Sequence, residues 1–158
     1  MINNRIVFVV VFGLLLNIAC GASMVSFIVI ETGLPENVSV NQHSEQWENA
    51  FMDVFFDAGY IVSNAPILRI GSKPIGDLLS AACDIDEIKS LGIDFLLIAH
   101  LDYSGEPRIP AEISLLIYKV TSDDRLLERQ FPGKSYRSNR EEHDDIRSII
   151  RGFVPYIR

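Results

Sequence analysis

Basic side chains are in short supply: 14 lysines and arginines against 21 acids leave a formal charge of −7 at pH 7. A surface of that sign repels phosphate backbones, which excludes nucleic acid as a partner. It also offers no polybasic attraction to anionic lipid heads. Cysteine is scarcer still. Only Cys20 and Cys83 occur, so no disulfide framework holds the chain together. Histidine appears three times, at His43, His100 and His143, in a predicted loop, strand and helix. None has the spacing of a His-Glu-x-x-His zinc motif. The glycine-containing stretch RIGSKPIGD, with Lys73 between Gly71 and Gly76, is no phosphate loop, because that motif needs Lys directly after its second Gly, followed by Ser or Thr. No cofactor and no metal are therefore expected. Long apolar runs are missing as well: the first, Ile6 to Leu16, covers eleven residues, short of the roughly 20 a helix needs to span a bilayer.

That short run is nonetheless the most informative feature present. MINNRIVFVVVFGLLLNIAC carries a polar start with Arg5, an apolar stretch and then small residues, the three parts of an export signal. No acid occurs before Glu31. Removing residues 1–19 takes away only Arg5 and moves the charge from −7 to −8. The stretch Asn17-Ile18-Ala19-Cys20 resembles the relaxed boxes of spirochaetal-type envelope lipoproteins, with Leu16 one place further upstream than in the strict box. The resemblance implies a diacylglycerol on Cys20 and cleavage before it. Residues 1–19 are then a signal peptide, residues 20–23 a short lipid tether and residues 24–158 one globular domain. Cleavage after Gly21 or Ala22, or an uncleaved anchor continuing through GASMVSFIVI, are the rival readings. Anchorage is the physical reason for a Cys here: each buried CH₂ contributes about 0.8 kcal/mol, so two or three chains hold durably.

The body has an ordinary globular composition, 48% apolar and 22% charged. Met24 to Ile30 is a nearly continuous β-branched run, expected for a strand covered on both faces. A long loop from Glu31 to His43 follows. Ser44 is a candidate cap for a helix starting at Glu45, whose Trp47, Ala50, Phe51, Val54, Phe55 and Ala58 share one face. Gly59 ends it, and YIVSN returns as a strand. Asp77 opens one helical stretch and Asp84 with Glu87 forms a capping box for a second. Leu78, Ala82, Ile85, Ile88 and Leu91 face the sheet, and Gly92 is the stop. IDFLLIAHLDYSG is a central strand, AEISLLIYKV and RLLERQFPG a hairpin about TSDD. Asn139 to Ile157 is an amphipathic helix capped by Asn139 with Glu142. Its early acids Glu141, Glu142, Asp144 and Asp145 form a solvated face. The fold class is thus α/β (α+β): a single mixed sheet of about five strands with three helices, in the order β-α-β-α-β-β-β-α. Cys83 is expected as a buried, inert thiol whose pKa Asp84 raises.

SFIVIETG, WENAFMDVFFDAGYIV and IKSLGIDFLLIAHLDYS ahead of LLIYKV resemble the small periplasmic domain at the front of TolB, found also in CsgG-like and LpoB-like lipoproteins. The turn Leu91 to Asp94 looks like the one that enters the central strand of such domains. The resemblance spans Met24 to Phe131. It implies a membrane-tethered module of the cell envelope that binds another envelope protein, by one helix or by the Glu31–His43 loop, and is no enzyme. Direct inspection for catalysis agrees. His100, Asp102 and Ser104 alternate along one row of a strand and do not converge as a triad requires. Asp53 and Asp57, one turn apart opposite the apolar stripe, read as a solubilising pair. The alternative is a periplasmic small-ligand carrier or enzyme using a cleft near His100, Asp102 and Tyr103.

Overall fold

β1 (Met24–Thr32) is buried at every residue but its first. It lies inside the sheet, with a parallel neighbour on each side. In the computed structural model, which describes residues 22–34, 39, 41–70, 83–104 and 108–157, α1 (Gln42–Asp57) carries the chain back to β2 (Ile61–Asn64). A two-residue strand, β3 (Leu68–Arg69), and α2 (Ile85–Ser90) precede β4 (Phe95–Asp102). The antiparallel hairpin of β5 (Glu112–Lys119) and β6 (Asp124–Pro132) follows, then α3 (Asn139–Arg151) and a 3₁₀ turn over Val154–Tyr156. The sheet order is β2-β1-β4-β5-β6, with β3 also beside β1. β2, β3 and β4 pair parallel with β1, and the hairpin extends the sheet antiparallel. Among the described residues this is the expected mixed α+β sheet with three helices, enlarged by β3.

Period-two alternation sorts β1 and β4 into two cores. Val25, Phe27, Val29, Phe95, Leu97, Ala99 and Leu101 lie under α1 and α3. Ile28, Ile30, Leu96 and Ile98 pack on the other face, with Ile88 of α2 and Ile93. The first core is aromatic: Phe51 of α1 stacks on Phe27 at 5.2 Å and Trp47 and Phe55 flank it. Burying each such ring stabilises by about 1.5–3 kcal/mol, which is why α1 forms although it lacks a basic last turn.

Several local expectations shift. α1 starts at Gln42, capped by Asn41, whose side chain accepts from the His43 amide at 3.1 Å. His43 is therefore in a helix, and Ser44 lies inside that helix, buried. Ala58 is exposed, since the helix has ended and Gly59 (φ +87°) turns the chain away. Asp84 caps α2 as expected, accepting from the amides of Asp86 and Glu87. Leu91, however, is the C-cap and stands 62% exposed instead of facing the sheet. Ser138, not Asn139, caps α3: its backbone is extended and its Oγ accepts from the Glu141 amide at 3.2 Å, while Asn139 is already helical. α3 stops at Arg151, and Pro155, which has no amide to donate, sits in the separate 3₁₀ turn. Asp77, Leu78, Ala82 and the Gly71–Gly76 stretch lie outside the described residues, as does Cys20.

Candidate functional site

In open sheets of this kind, side chains meet beyond the carboxyl ends of parallel strands where successive crossovers leave on opposite faces. The helix after β1 covers one face and the helix before β4 the other, so the ends of β1 and β4 form that place. Glu31, expected as the first residue of a loop, is the eighth residue of β1 and fully buried. Its Oε2 accepts from Arg69 Nε at 3.0 Å and from Arg69 Nη2, while Oε1 accepts from the Asn41 amide at 2.9 Å. Arg69 also donates to the Ser39 carbonyl at 3.2 Å. One buried carboxylate thus fastens β3 and the start of α1 to β1. Beside it, the Tyr103 hydroxyl sits 3.2 Å from Ser44 Oγ, and burial drives its pKa well above the usual phenol value.

Of the acids of α1 and α3 expected in solvent, Asp53, Asp57, Glu141 and Asp144 are exposed, whereas Glu142 is buried. His43 Nδ1 donates to the carboxylate of Glu142, which is buried. In the opposite sense, His143 Nε2 lies 3.2 Å from Asp53 Oδ2. Arg147 donates to Asp53 at 3.3 Å and to Asp57 at 2.9 Å. The Asp53–Asp57 pair is exposed, as expected of a solubilising pair, and it also clasps α1 to α3.

The other face of the sheet holds a separate polar group. Thr32 Oγ1 is 2.8 Å from His100 Nε2 and donates to Asp102 Oδ1 at 3.5 Å. Asp102 in turn accepts from the Ser104 amide at 2.9 Å and from Ser104 Oγ at 3.2 Å. Burial holds the His100 pKa below the ordinary imidazole value, against the opposing pull of Asp102 and Glu112. Ser104 donates to the carboxylate and not to the imidazole, so no activated nucleophile results. Tyr103 points to the α1 face, whereas His100 and Asp102 belong to the opposite one. The expected cleft near His100, Asp102 and Tyr103 is consequently divided by the sheet.

An actual cleft of about 280 Å³ opens where α1 and α3 begin, lined by Gln42, His43, Arg108, Tyr136, Arg137 and Glu142 among others. Neither the Arg108 nor the Arg137 guanidinium is held by a carboxylate among the described residues, which gives this corner of an acidic chain a positive lining. At its margin Tyr136 and Lys134 donate to Asp145 at 2.9 and 3.0 Å. Burial alone would lift the Asp145 carboxyl, but these bonds and the Lys134 charge bring it below its ordinary value. Cys83 is half-buried just before α2, its thiol pKa pushed up by burial and by Asp84. Among the described residues no group of three or more His, Cys, Asp or Glu side chains is placed to hold a metal ion. No helix among them is long and apolar enough to cross a membrane.

Glu31, Arg69, Ser44 and Glu142 are the members of this end that sequence reasoning missed. For Glu31 a signal existed: it continues the inward parity of Val25, Phe27 and Val29.

No protein-family model matches the chain, and no curated protein matches it in sequence. Solved structures do. The PelC dodecamer from Paraburkholderia phytofirmans superposes with a TM-score of 0.50 at 12% identity, over 82% of this chain and 86% of that one. TolB from Acinetobacter baumannii gives 0.47 at 11% identity, over 85% of this chain and 29% of that chain. Lipoprotein GNA1162 from Neisseria meningitidis gives 0.46 at 7%, over 84% and 99%. At these identities the likeness concerns the fold.

Proposed function

We propose that this chain is a lipoprotein of the cell envelope, tethered by a diacylglycerol on Cys20, that works as a non-catalytic module binding another envelope protein. The observation that carries the non-catalytic reading is the spending of acids and bases at the strand ends on one another. Glu31 is held by Arg69, Glu142 by His43, and Asp102 by Thr32 and Ser104. Such mutual satisfaction of these three carboxylates positions a rigid surface, which supports binding over proton transfer. The cleft with Arg108 and Arg137 is open and suited to acidic side chains of a protein partner. PelC, which shares the fold, forms a dodecamer, an instance of this architecture serving in an assembly. The leader sequence supports export and the tether, and this surface supports a protein partner.

The test uses the full chain with its own leader, expressed in a bacterium and fed labelled palmitate. The label should enter the protein and the protein should sediment with membranes. Cys20→Ser should be unlabelled and released. An unlabelled wild-type chain beginning at Ala22 or Ser23 would overturn the tether. For the partner, a photo-crosslinker at position 137 should capture one protein in intact envelopes. A retained small molecule instead would favour a carrier.

A further inference from the structure

We infer that the end of the sheet where β1 begins lies against the bilayer, with Phe56, Ile61 and Leu91 entering the lipid interface. The inference rests on the tether proposed above and adds an orientation to it. These three are the most exposed large apolar residues described, at 74%, 54% and 62%. In sequence they are scattered, and the topology brings them to one end. Ile61 is the first residue of β2 and pairs with Met24, the first of β1, while its amide donates to the Ser23 carbonyl. Phe56 stands at the close of α1, from which the chain turns directly into β2. Leu91 caps the end of α2 three residues before Asp94, which exchanges hydrogen bonds with Met24 on the other flank of β1. The entering chain is therefore gripped between the two segments that carry these side chains.

The length of chain outside the described fold selects a bilayer as the occupant. From Cys20 to Met24 there are four peptide steps, at most about 14 Å even when fully extended. An acylated Cys20 would hold this end within that distance of the lipid, where exposed aromatic and aliphatic side chains gain by entering the interface. The chain's net charge of −7 offers anionic heads no attraction, so the contact is apolar, and it should form on neutral lipid and survive high salt.

The acylated full-length protein, in a Cys83→Ala background, is reconstituted in phosphatidylcholine vesicles with an environment-sensitive fluorophore on Phe56→Cys, Ile61→Cys, Leu91→Cys or Arg137→Cys. Doxyl-labelled lipid should quench the first three at least twofold and leave the fourth unchanged, at 0.05 and 1 M salt alike. Hydrogen exchange on the unsubstituted protein gives a second reading: amides near residues 56–61 and 89–94 should slow on vesicles. If the protein floats with vesicles but the three labels behave like the one at 137, the orientation is wrong and the tether stands. Labels shielded from water yet not quenched by doxyl lipid would assign the patch to a second copy or a protein and overturn the inference. Protein that fails to float at all would remove both readings.

Discussion

The two ends of this sheet are made of different material. Where β1 and β4 stop, charged and hydroxyl side chains are gathered and almost all are paired. Where β1 begins, the exposed surface carries Phe56, Ile61 and Leu91. A paired polar end is specified by its partners and breaks when one is removed, whereas an exposed apolar end contributes little to folding and is free to serve contact. The steepest way to test that difference is Glu31→Ala. It takes the buried carboxylate away from Arg69 and the Asn41 amide and should cost about 3–5 kcal/mol in urea unfolding. Phe56→Ser at the other end should stay within about 0.5 kcal/mol. Equal losses would erase the distinction.

Gly33→Ala should come next. Gly33 has φ +78°, and a Cβ there would lie 2.6 Å from the Ser104 amide nitrogen and 2.8 Å from the Tyr103 carbonyl carbon. Backbone atoms cannot step aside as a side chain can, so a loss of about 1–3 kcal/mol is expected from thermal or urea melts. A neutral result would mean the β1 and β4 ends are not locked together. Asp53→Asn, at the half-exposed clasp between α1 and α3, should cost less than about 1 kcal/mol and less still in high salt. The smallest effect is one of slope. Burial lowers the His100 pKa in the folded chain, so His100 contributes stability above its unfolded pKa of about 6.5. That contribution is lost as pH falls toward the folded value, because the unfolded chain takes the proton first. His100→Gln should flatten the stability profile between pH 7 and 5; an unchanged slope would show that His100 is solvated.

Much of the fold was legible because periodicity and punctuation agreed. The continuous apolar runs of β1 and β4, the three-four stripe of α1 and the stops at Gly59 and Gly92 each pointed to one element. Helix starts were harder: Asn41 and Ser44, or Ser138 and Asn139, are all chemically competent caps, and only the backbone conformation decides between them. The polar end was nearly invisible, since Glu142, one of four acids between positions 141 and 145, looks solvated until His43, 99 residues away, is brought against it. Pairings at such separations are set by topology, which local patterns do not encode. Glu31 was legible in parity alone, and the ties of the exposed Asp53 to His143 and Arg147, 90 and 94 residues away, were not legible locally.

Met24 is hydrogen-bonded to Asp94, and Ser23 to Ile61, so the sheet takes hold of the chain at the residues where it enters. Were the body pulled away from an anchored Cys20, the load would run along an interior strand whose bonds to β2 and β4 lie across the direction of pull. Those bonds would share the strain in shear and would not open one after another. An anchor attached to β6, at the rim, would peel that strand off rung by rung. Attachment through β1 would make the joint between lipid and protein one of the mechanically strongest the topology allows.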